Sequence, residues 1–324
     1  MNPSLSNLWA SGDNSNGNLW NCKFKLSPRF VRCDSFPFDS TEISYISAWN
    51  ESIAFFSDES KVYFKEEDQE LKEYDVNSTI QTIRTLEDCV IALLDDGSLI
   101  EIPSMKKLKA ESCNSFCCSM NYVCYINKDN EAKVIRGDRF SEPEKLASNV
   151  SAIGCTNDTI FIFDSETKKL TKIEDGNTMQ LQAPSKIIAA IYCSEDDALF
   201  IDTEGNLYKY NYFSISQVFG LPQIVFASLG PQHYAAISSD GRLFTWGFNP
   251  SGQLGIGNDR PTSEPSYAIN HAIIVACGTH WTIVVRSQND LPKIPELFDK
   301  SKIKVVSSQL PQSQRRITRA ELLS

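Results

Sequence analysis

Short apolar runs alternate with polar turn residues along most of the chain, at an almost constant interval. The clearest copies read ALLDDGSLIEI (92–102), FIDTEGNLYKY (200–210) and AISSDGRLFTW (236–246), and AFFSDESKVYF (54–64) lacks only the glycine. In each copy an apolar run is followed by small polar or acidic residues and then by alternating apolar and polar positions. Asp-Gly and Glu-Gly between such runs indicate β-hairpins, because glycine accepts the positive φ that these turns need.

Two weaker copies, VCYINKDNEAKVI (123–135) and IFIFDSETKKLTKI (160–173), bring the series to six. The first apolar residue after each turn recurs with steps of 37, 35, 36, 37 and 36 at Val62, Leu99, Val134, Leu170, Leu207 and Leu243. Such a fixed period indicates a repeat architecture, and each period is long enough for about four short strands. We therefore predict an all-β propeller, in which four-stranded sheets repeat around an axis and leave few exposed strand edges.

The two ends of the chain look like complementary parts of one repeat. LWASGDNSNGNL (8–19) matches LFTWGFNPSGQL (243–254) without gaps, pairing Leu8, Gly12, Asn14, Gly17 and Leu19 with Leu243, Gly247, Asn249, Gly252 and Leu254. The last copy, IIVACGTHWTIVVRS (273–287), resembles only the first half of a repeat, as in IVFASLGPQHYAAIS (224–238). The sequence therefore predicts seven blades, closed by N- and C-terminal strands that pair within one blade.

An alternative is that the last blade finishes locally, since Leu291 also falls in the repeat column. Pro292 and Pro295 argue against it, because proline cannot donate to a strand ladder. The predicted domains are a single propeller over residues 1–290 and a C-terminal extension over 291–324. The extension is rich in proline, serine and glutamine, so we expect disorder after about residue 310. It contains a basophilic kinase-like site at Thr318.

Charge and hydropathy narrow the classes of function. With 31 Lys and Arg against 41 Asp and Glu, the net charge is −10, so direct nucleic-acid binding is not expected. No apolar run reaches the roughly 18 to 20 residues of a membrane helix, and we expect no membrane association. The first residues lack the basic and apolar regions of a secretory signal. We therefore expect a cytoplasmic and/or nuclear protein whose ten cysteines are reduced.

Four of these cysteines, Cys113, Cys117, Cys118 and Cys124, lie within ESCNSFCCSMNYVCYI. Structural zinc sites usually draw on short-spaced pairs of ligands, and no C-x-x-C pair occurs. The thiols alternate with apolar residues, as on strands. We interpret them as small buried hydrophobic residues and predict no metal site and no cofactor.

The segment GPQHYAAISSDGRLFTWGFNPSGQLGIGN (230–258) resembles a repeat of the regulator-of-chromosome-condensation family. It has that family's G-x-x-H, hairpin Asp-Gly and W-G-x-N-x-x-G-Q-L-G elements. The N-terminal half-copy and VACGTHW (275–281) support the resemblance, whereas the repeats between about residues 43 and 211 retain only the hairpin period. The motif residues are expected to serve the scaffold, through glycine turns, apolar packing and asparagine side chains that bond nearby backbone. They are Trp246, Gly247, Asn249, Gly252 and Leu254, with Gly12, Asn14 and Gly17 in the N-terminal copy.

Candidate chemistry is sparse. Only three histidines occur, and no hydrolase, metalloprotease or nucleotide-binding motif is present, so the sequence predicts no catalytic residue and no enzyme activity. His233 fills the G-x-x-H position, and Trp281 takes the equivalent column in the last copy, next to His280. These three are the candidate partner contacts, with a core role left open for His233 and Trp281. An acidic run is either a solvated loop or a docking site for a basic partner: it comprises Glu66, Glu67, Asp68, Glu70 and Glu73.

The resemblance implies a non-catalytic scaffold that binds another protein. In length and closure the chain is similar to the freestanding alpha-tubulin suppressor type of this family. That likeness implies an accessory factor in diphthamide synthesis and Elongator-dependent tRNA wobble-uridine modification, with a small metal-binding diphthamide-synthesis protein as its partner. The alternatives are a guanine-nucleotide exchange factor for a small GTPase and a chromatin-linked propeller subunit. The net charge and the reduced middle repeats weigh against exchange activity.

Overall fold

The computed structural model describes residues 7–15, 17, 19, 24–33, 43–56, 60–67, 69–184, 186–212 and 214–287. Within these ranges every regular element is a β-strand, and the strands form seven antiparallel four-stranded sheets. None of the described residues belongs to a helix long and apolar enough to cross a membrane. The all-β, seven-bladed propeller predicted from the repeat period is confirmed.

The N-terminal strands are β1 (Leu8–Asp13) and β2 (Leu26–Arg32). Blade 1 consists of β3 (Tyr45–Trp49), β4 (Ser52–Phe56), β5 (Lys61–Lys65) and β6 (Lys72–Asp75). Blade 2 consists of β7 (Ile80–Thr85), β8 (Val90–Leu94), β9 (Leu99–Ile102) and β10 (Lys106–Lys107). Blade 3 consists of β11 (Cys113–Cys118), β12 (Tyr122–Asn127), β13 (Ala132–Arg136) and β14 (Glu144–Ala147).

Blade 4 consists of β15 (Val150–Cys155), β16 (Thr159–Asp164), β17 (Lys169–Glu174) and β18 (Asn177–Leu181). Blade 5 consists of β19 (Ile188–Cys193), β20 (Ala198–Asp202), β21 (Leu207–Tyr210) and β22 (Ile215–Gln217). Blade 6 consists of β23 (Ile224–Leu229), β24 (His233–Ser238), β25 (Leu243–Gly247) and β26 (Thr262–Ile269). The C-terminal strands are β27 (Ala272–Cys277) and β28 (Trp281–Arg286).

Blade 7 combines the two ends of the chain. Its strands run in the order β2-β1-β28-β27, so the C-terminal hairpin supplies the inner half and the N-terminal strands supply the outer half. The ladder between β1 and β28 aligns Leu8 with Val285 and Gly12 with Trp281. This pairing confirms the predicted closure. It ties together segments more than 260 residues apart in sequence and covers the edge that β28 would otherwise expose.

The predicted repeat positions fall on the third strand of blades 1 to 6, with one offset. In blade 3 the residue that pairs beside the hairpin is Ala132, opposite Ile126, whereas the sequence pattern selected Val134. Both residues are fully buried, because positions two apart on a strand face the same side. The pattern therefore identified the correct face and strand but placed the register two residues late.

Burial decreases from the axis outwards, as expected for radially stacked sheets. The second strands β4, β8 and β20 are buried at every position, whereas β6 and β10 on the rim are mostly exposed. Neighbouring blades pack through large apolar side chains. Phe161 of blade 4, for example, meets Phe200 of blade 5 edge-to-face at 5.4 Å. Neighbouring blades cover both faces of each sheet, so these second strands are buried at consecutive positions.

The cysteines are not all in the predicted reduced state. Of the nine cysteines that the structure describes, eight are free, but Cys33 is disulfide-bonded, so the expectation that every cysteine is reduced was wrong. The predicted extension, including Thr318, lies outside the described residues and stays a prediction, as does the boundary at residue 290. Asp68 of the acidic run also lies outside them.

Candidate functional site

The loops at the two ends of the propeller differ strongly in charge. Because neighbouring strands are antiparallel, the loops between first and second strands and between third and fourth strands emerge on the same face. The described residues of these loops include fourteen acids and three Lys or Arg, against eight and five in the described loops of the opposite face. We call the first the acidic face. Its acids are Glu51, Glu66, Glu67, Glu70, Glu87, Asp88, Asp138, Glu142, Asp158, Asp175, Glu195, Asp196, Asp197 and Asp259.

Hydrogen bonds between loops close the centre of the acidic face. The backbone N–H of Thr279 donates to the Asn50 carbonyl at 3.0 Å, and the Asn50 side chain donates to Glu195 Oε1 at 2.8 Å. The N–H of Asn157 donates to the Glu195 carbonyl at 2.8 Å, and the N–H of Met120 donates to Asn157 Oδ1 at 3.2 Å. Asn50 and Glu195 belong to blades 1 and 5, which are not neighbours, so their bond spans the propeller axis.

Beneath these loops the innermost strands surround an axial cavity of about 90 Å³. Arg84 projects into it and donates to the Tyr45 hydroxyl at 2.5 Å and to the Ile83 carbonyl at 2.9 Å. Burial raises the pKa of the neighbouring Tyr192, so its hydroxyl stays neutral. Cys117, Cys118, Cys155 and Cys193 also line the cavity.

Large apolar side chains stand among the acidic loops. Met105, Met120, Tyr212 and Phe248 are exposed, and each lies in a loop of the acidic face. Exposed apolar groups surrounded by charge are typical of protein-binding surfaces, where a few anchors supply most of the binding energy. The acidic face therefore combines long-range attraction for cations with apolar contact points.

His233 is part of the core. It is fully buried at the start of β24, and its Nε2 lies 2.9 Å from Thr282 Oγ1 on β28 of the next blade. Burial, helped by the nearby His280, lowers the pKa of the His233 imidazole to about 3. The ring is therefore neutral at physiological pH and joins blade 6 to blade 7.

Trp281 plays the equivalent part between blades 7 and 1. It is also fully buried, and its indole Nε1 donates to Glu51 Oε2 at 3.1 Å. Both residues therefore take the core position that the sequence left open for them, and a partner contact by either residue stays a prediction. His280 is about half exposed, with Nδ1 3.5 Å from Glu51 Oε1. It remains a candidate contact on the acidic face.

Blades 6 and 7 each contain a glycine that lets two neighbouring strands of the same blade approach closely. Gly247 has φ +108° and Gly12 has φ +104°. A Cβ on Gly247 would lie 2.6 Å from the Gln232 carbonyl oxygen, and one on Gly12 would lie 2.2 Å from the His280 carbonyl oxygen. These matching contacts support the alignment of the two segments and the scaffold role assigned to both glycines.

The two asparagines of the motif hold equivalent loops. Asn249 Oδ1 accepts from the Leu254 N–H at 2.9 Å, and its Nδ2 donates to two backbone carbonyls. Asn14 Oδ1 accepts from the Leu19 N–H at 2.7 Å in the same way. Gly252 and Gly17 have positive φ and donate to the carbonyls of Asn249 and Asn14, respectively.

Trp246 completes the scaffold set. It is buried on β25 and stacks on Tyr234 with ring centroids 5.3 Å apart. These contacts support the scaffold role expected for the motif residues.

The acidic run of the sequence contributes only part of that surface. Glu66, Glu67 and Glu70 lie in the outer loop of blade 1, whereas Glu73 lies on β6 and pairs with Lys61 at 2.6 Å. The other acids of the face come from turns scattered over the chain. These acids share a position in the repeat, because each of them follows the first or the third strand of a blade.

Comparisons with known proteins agree with this architecture. Residues 240–285 and 224–253 match two descriptions of the regulator of chromosome condensation (RCC1) repeat. Among solved structures, Prp20p from Saccharomyces cerevisiae is 14% identical and superposes with a TM-score of 0.73, covering 89% of this chain and 93% of Prp20p. Human WBSCR16 is also 14% identical, with a TM-score of 0.69, and the match covers 87% of this chain and 100% of that structure.

The chain is an RCC1-like β-propeller. The guanine nucleotide exchange factor SRM1 from Saccharomyces cerevisiae is 24% identical to this propeller over 249 residues, which are 67% of this chain and 48% of SRM1. The ultraviolet-B receptor UVR8 from Arabidopsis thaliana is 32% identical over 94 residues, which are 28% of this chain and 20% of UVR8. The RCC1-like propeller thus spans no more than about half the length of the curated relatives it matches.

Proposed function

We propose that this RCC1-like propeller is a non-catalytic protein-interaction module that binds a partner with a basic surface through the acidic face. The charge difference between the two faces is the observation that carries the proposal. An extended surface of one sign raises the rate of encounter with an oppositely charged partner. The exposed Met105, Met120, Tyr212 and Phe248 supply apolar contact points within that field.

The non-catalytic part of the proposal rests on what the candidate residues do. His233 is buried and held neutral, and Trp281 is buried and bonded to Glu51, so both stabilise contacts between blades. His280 and Glu51 are close together at the edge of the face. A histidine beside one carboxylate still needs a third group that reacts or binds substrate to form a catalytic arrangement.

Charge-removing variants test which face binds. Asp158 and Asp196 are exposed on the acidic face, and Asp95 and Asp129 are exposed on the opposite face. An exposed ion pair contributes about 0.2–1 kcal/mol, so D158N/D196N should weaken partner binding by about twofold to thirtyfold. The matched pair D95N/D129N should leave affinity unchanged. Equal affinity of both double variants, or weaker binding of the control pair, would refute the assignment of the face.

As the finer proposal, the partner is a small metal-binding diphthamide-synthesis protein, and the chain is an accessory factor in diphthamide synthesis and Elongator-dependent tRNA wobble-uridine modification. Its support is the resemblance to the freestanding alpha-tubulin suppressor type in the seven-blade closure and in the reduced middle repeats. Affinity capture of the tagged full chain, followed by mass spectrometry, should recover such a partner in stoichiometric amount. Cells without the chain should lose diphthamide on the elongation factor and wobble-uridine modification in tRNA.

Nucleotide exchange is the second candidate function. The favouring observation is the similarity to SRM1, which is described as a guanine nucleotide exchange factor, over two thirds of this chain. The structure report on Prp20p names Gsp1p and histones as binding partners, which also keeps a chromatin-linked role as an alternative. A nucleotide-release assay on a panel of small GTPases separates the candidates, because an interaction module of the first kind should not accelerate release from any of them.

A further inference from the structure

Three thiols from two neighbouring blades meet beside the axial cavity. Cys117 on β11 and Cys124 on β12 lie directly opposite each other in the blade 3 ladder, and Cys155 ends the innermost strand of blade 4. Their Sγ atoms all lie within 4.8 Å of one another. All three side chains are buried. Residues separated by as many as 38 positions are thus brought to one point by the stacking of two blades.

The spacing of the sulfur atoms suits a metal ion. A zinc–thiolate bond is about 2.3 Å long, so sulfurs bound to one ion of that size lie about 4 Å apart by simple geometry. Soft thiolate ligands select Cu(I) and Zn(II) over harder cations. We propose that Cys117, Cys124 and Cys155 form a binding site for a thiophilic metal ion and that Cu(I) is the ion that fits best. Three sulfurs can complete the coordination of Cu(I), whereas zinc sites are almost always four-coordinate.

Two of the three thiols face the axial cavity. Cys117 and Cys155 line the axial cavity, together with Cys118 and Cys193. Cys124 lies behind them on the second strand and is fully buried. The two cavity-lining thiols would contact an arriving ion first, and Cys124 would complete its coordination from the protein side.

Binding must displace the thiol protons. Burial raises the pKa of all three thiols, with Cys193 adding to the effect at Cys117 and Cys155, while Arg136 acts in the opposite direction at Cys124. Each bound thiol releases one proton to solvent, so the apparent affinity for metal should rise with pH. Without metal, the same burial keeps the thiols neutral and slow to react.

The test is an anaerobic titration of the reduced full chain with Cu(I) in competition with a chromophoric Cu(I) chelator. We expect one equivalent to be retained, and X-ray absorption should show three sulfur neighbours at about 2.3 Å. Zn(II) added alone should bind more weakly. No retained equivalent, or a Cu(I) environment dominated by nitrogen or oxygen, would overturn the proposal whether or not the variants below fold. Tighter binding of Zn(II) would overturn the choice of Cu(I).

Variants locate the site. Loss of a hydrogen-bonding neighbour of a ligand already costs about 10–100-fold in metal affinity, so C124V and C155A should each weaken Cu(I) binding by at least about tenfold. C277A removes another buried free thiol outside the group, and C33S removes a thiol that reduction of the disulfide would release. Both controls should bind like the wild type. Wild-type affinity in folded C124V and C155A, or loss of binding in C277A or C33S, would show that the ion binds elsewhere.

Discussion

The buried imidazole of His233 makes the stability of the propeller depend on pH in a specific direction. In the folded state the pKa of this histidine is about 3, whereas an unperturbed histidine has a pKa of 6.5. Between those values the unfolded chain binds a proton that the folded chain does not. Stability should therefore be complete above about pH 6.5 and should fall as the pH decreases towards 3.

The size of the effect follows from the difference between the two pKa values. One pKa unit corresponds to about 1.4 kcal/mol, so the whole window is on the order of 5 kcal/mol. Acidification from pH 7 to pH 5 covers only part of it and should remove about 2 kcal/mol of unfolding free energy through His233 alone. Carboxylates also titrate on acidification, so the histidine contribution has to be measured as a difference between variants.

The appropriate variant is H233Q, because glutamine keeps a polar group near Thr282 and does not titrate. Urea unfolding should be measured at pH 7, 6 and 5 for the wild type and H233Q. H233Q should be less stable than the wild type at pH 7, but its loss between pH 7 and pH 5 should be smaller by about 2 kcal/mol. Identical slopes in the wild type and H233Q would refute the reasoning.

Three further predictions concern the closure of the ring. G12A should reduce the unfolding free energy by roughly 3 kcal/mol or more, because the added Cβ would collide with the backbone of β28, the strand that pairs with β1. The control G137A should reduce it by only about 1–2 kcal/mol, because Gly137 also has positive φ but has open space around it. N249A removes three hydrogen bonds of a buried side chain and should cost about 2–4 kcal/mol by the same urea assay. Deletion of residues 1–13 removes β1, so it should expose the edge of β28, and size-exclusion chromatography should show association that the full chain lacks. A stable, monomeric deletion variant would contradict the closure mechanism.

Much of the fold could be predicted because one constraint repeats along the chain. Each blade needs a tight turn between its second and third strands, and the Asp-Gly and Glu-Gly pairs mark that turn directly in the sequence. The match between residues 8–19 and 243–254 then predicted the shared blade. The register of blade 3 was missed because Ala132 and Val134 face the same side, so an alternating pattern cannot distinguish them.

The candidate sites were harder to predict because they depend on how separate blades are arranged around the axis. The bond from Asn50 to Glu195 joins residues 145 positions apart, and no local pattern indicates that their loops meet. The cluster of Cys117, Cys124 and Cys155 likewise forms only because blade 4 packs on blade 3. Cys155 lies outside the cysteine-rich segment, so no local pattern links it to the other two cysteines. The burial of His233 and Trp281 depends on contacts with the following blade, which the order of residues does not show.

The full repeat motif lies in blade 6, and the way in which the ring closes explains why it is found there. The motif loop of blade 6 packs against the N-terminal strands of blade 7: a Cβ on Gly252 would lie 2.5 Å from Pro28 Cα, and the Gly257 N–H donates to the Pro28 carbonyl at 2.7 Å. The Ser11 hydroxyl donates to the Gln253 carbonyl at 3.2 Å. No hairpin connects β1 to β28, so the ladder of hydrogen bonds and the packing of apolar side chains hold β1 against the rest of its blade.

In blades 1 to 5, by contrast, covalent hairpins set the register of every strand pair, and a specialised loop is not needed to hold the outer strands in place. Their outer loops are therefore free to carry acids and exposed apolar residues, and their inner strands can carry cysteines. On this reasoning the full motif should be required where the two ends of the chain meet, and binding functions should concentrate in the blades that have lost it. Replacing the outer loop of blade 6 should therefore destabilise the ring, whereas replacing that of blade 1, with Glu66, Glu67 and Glu70, should alter partner binding and leave the fold intact.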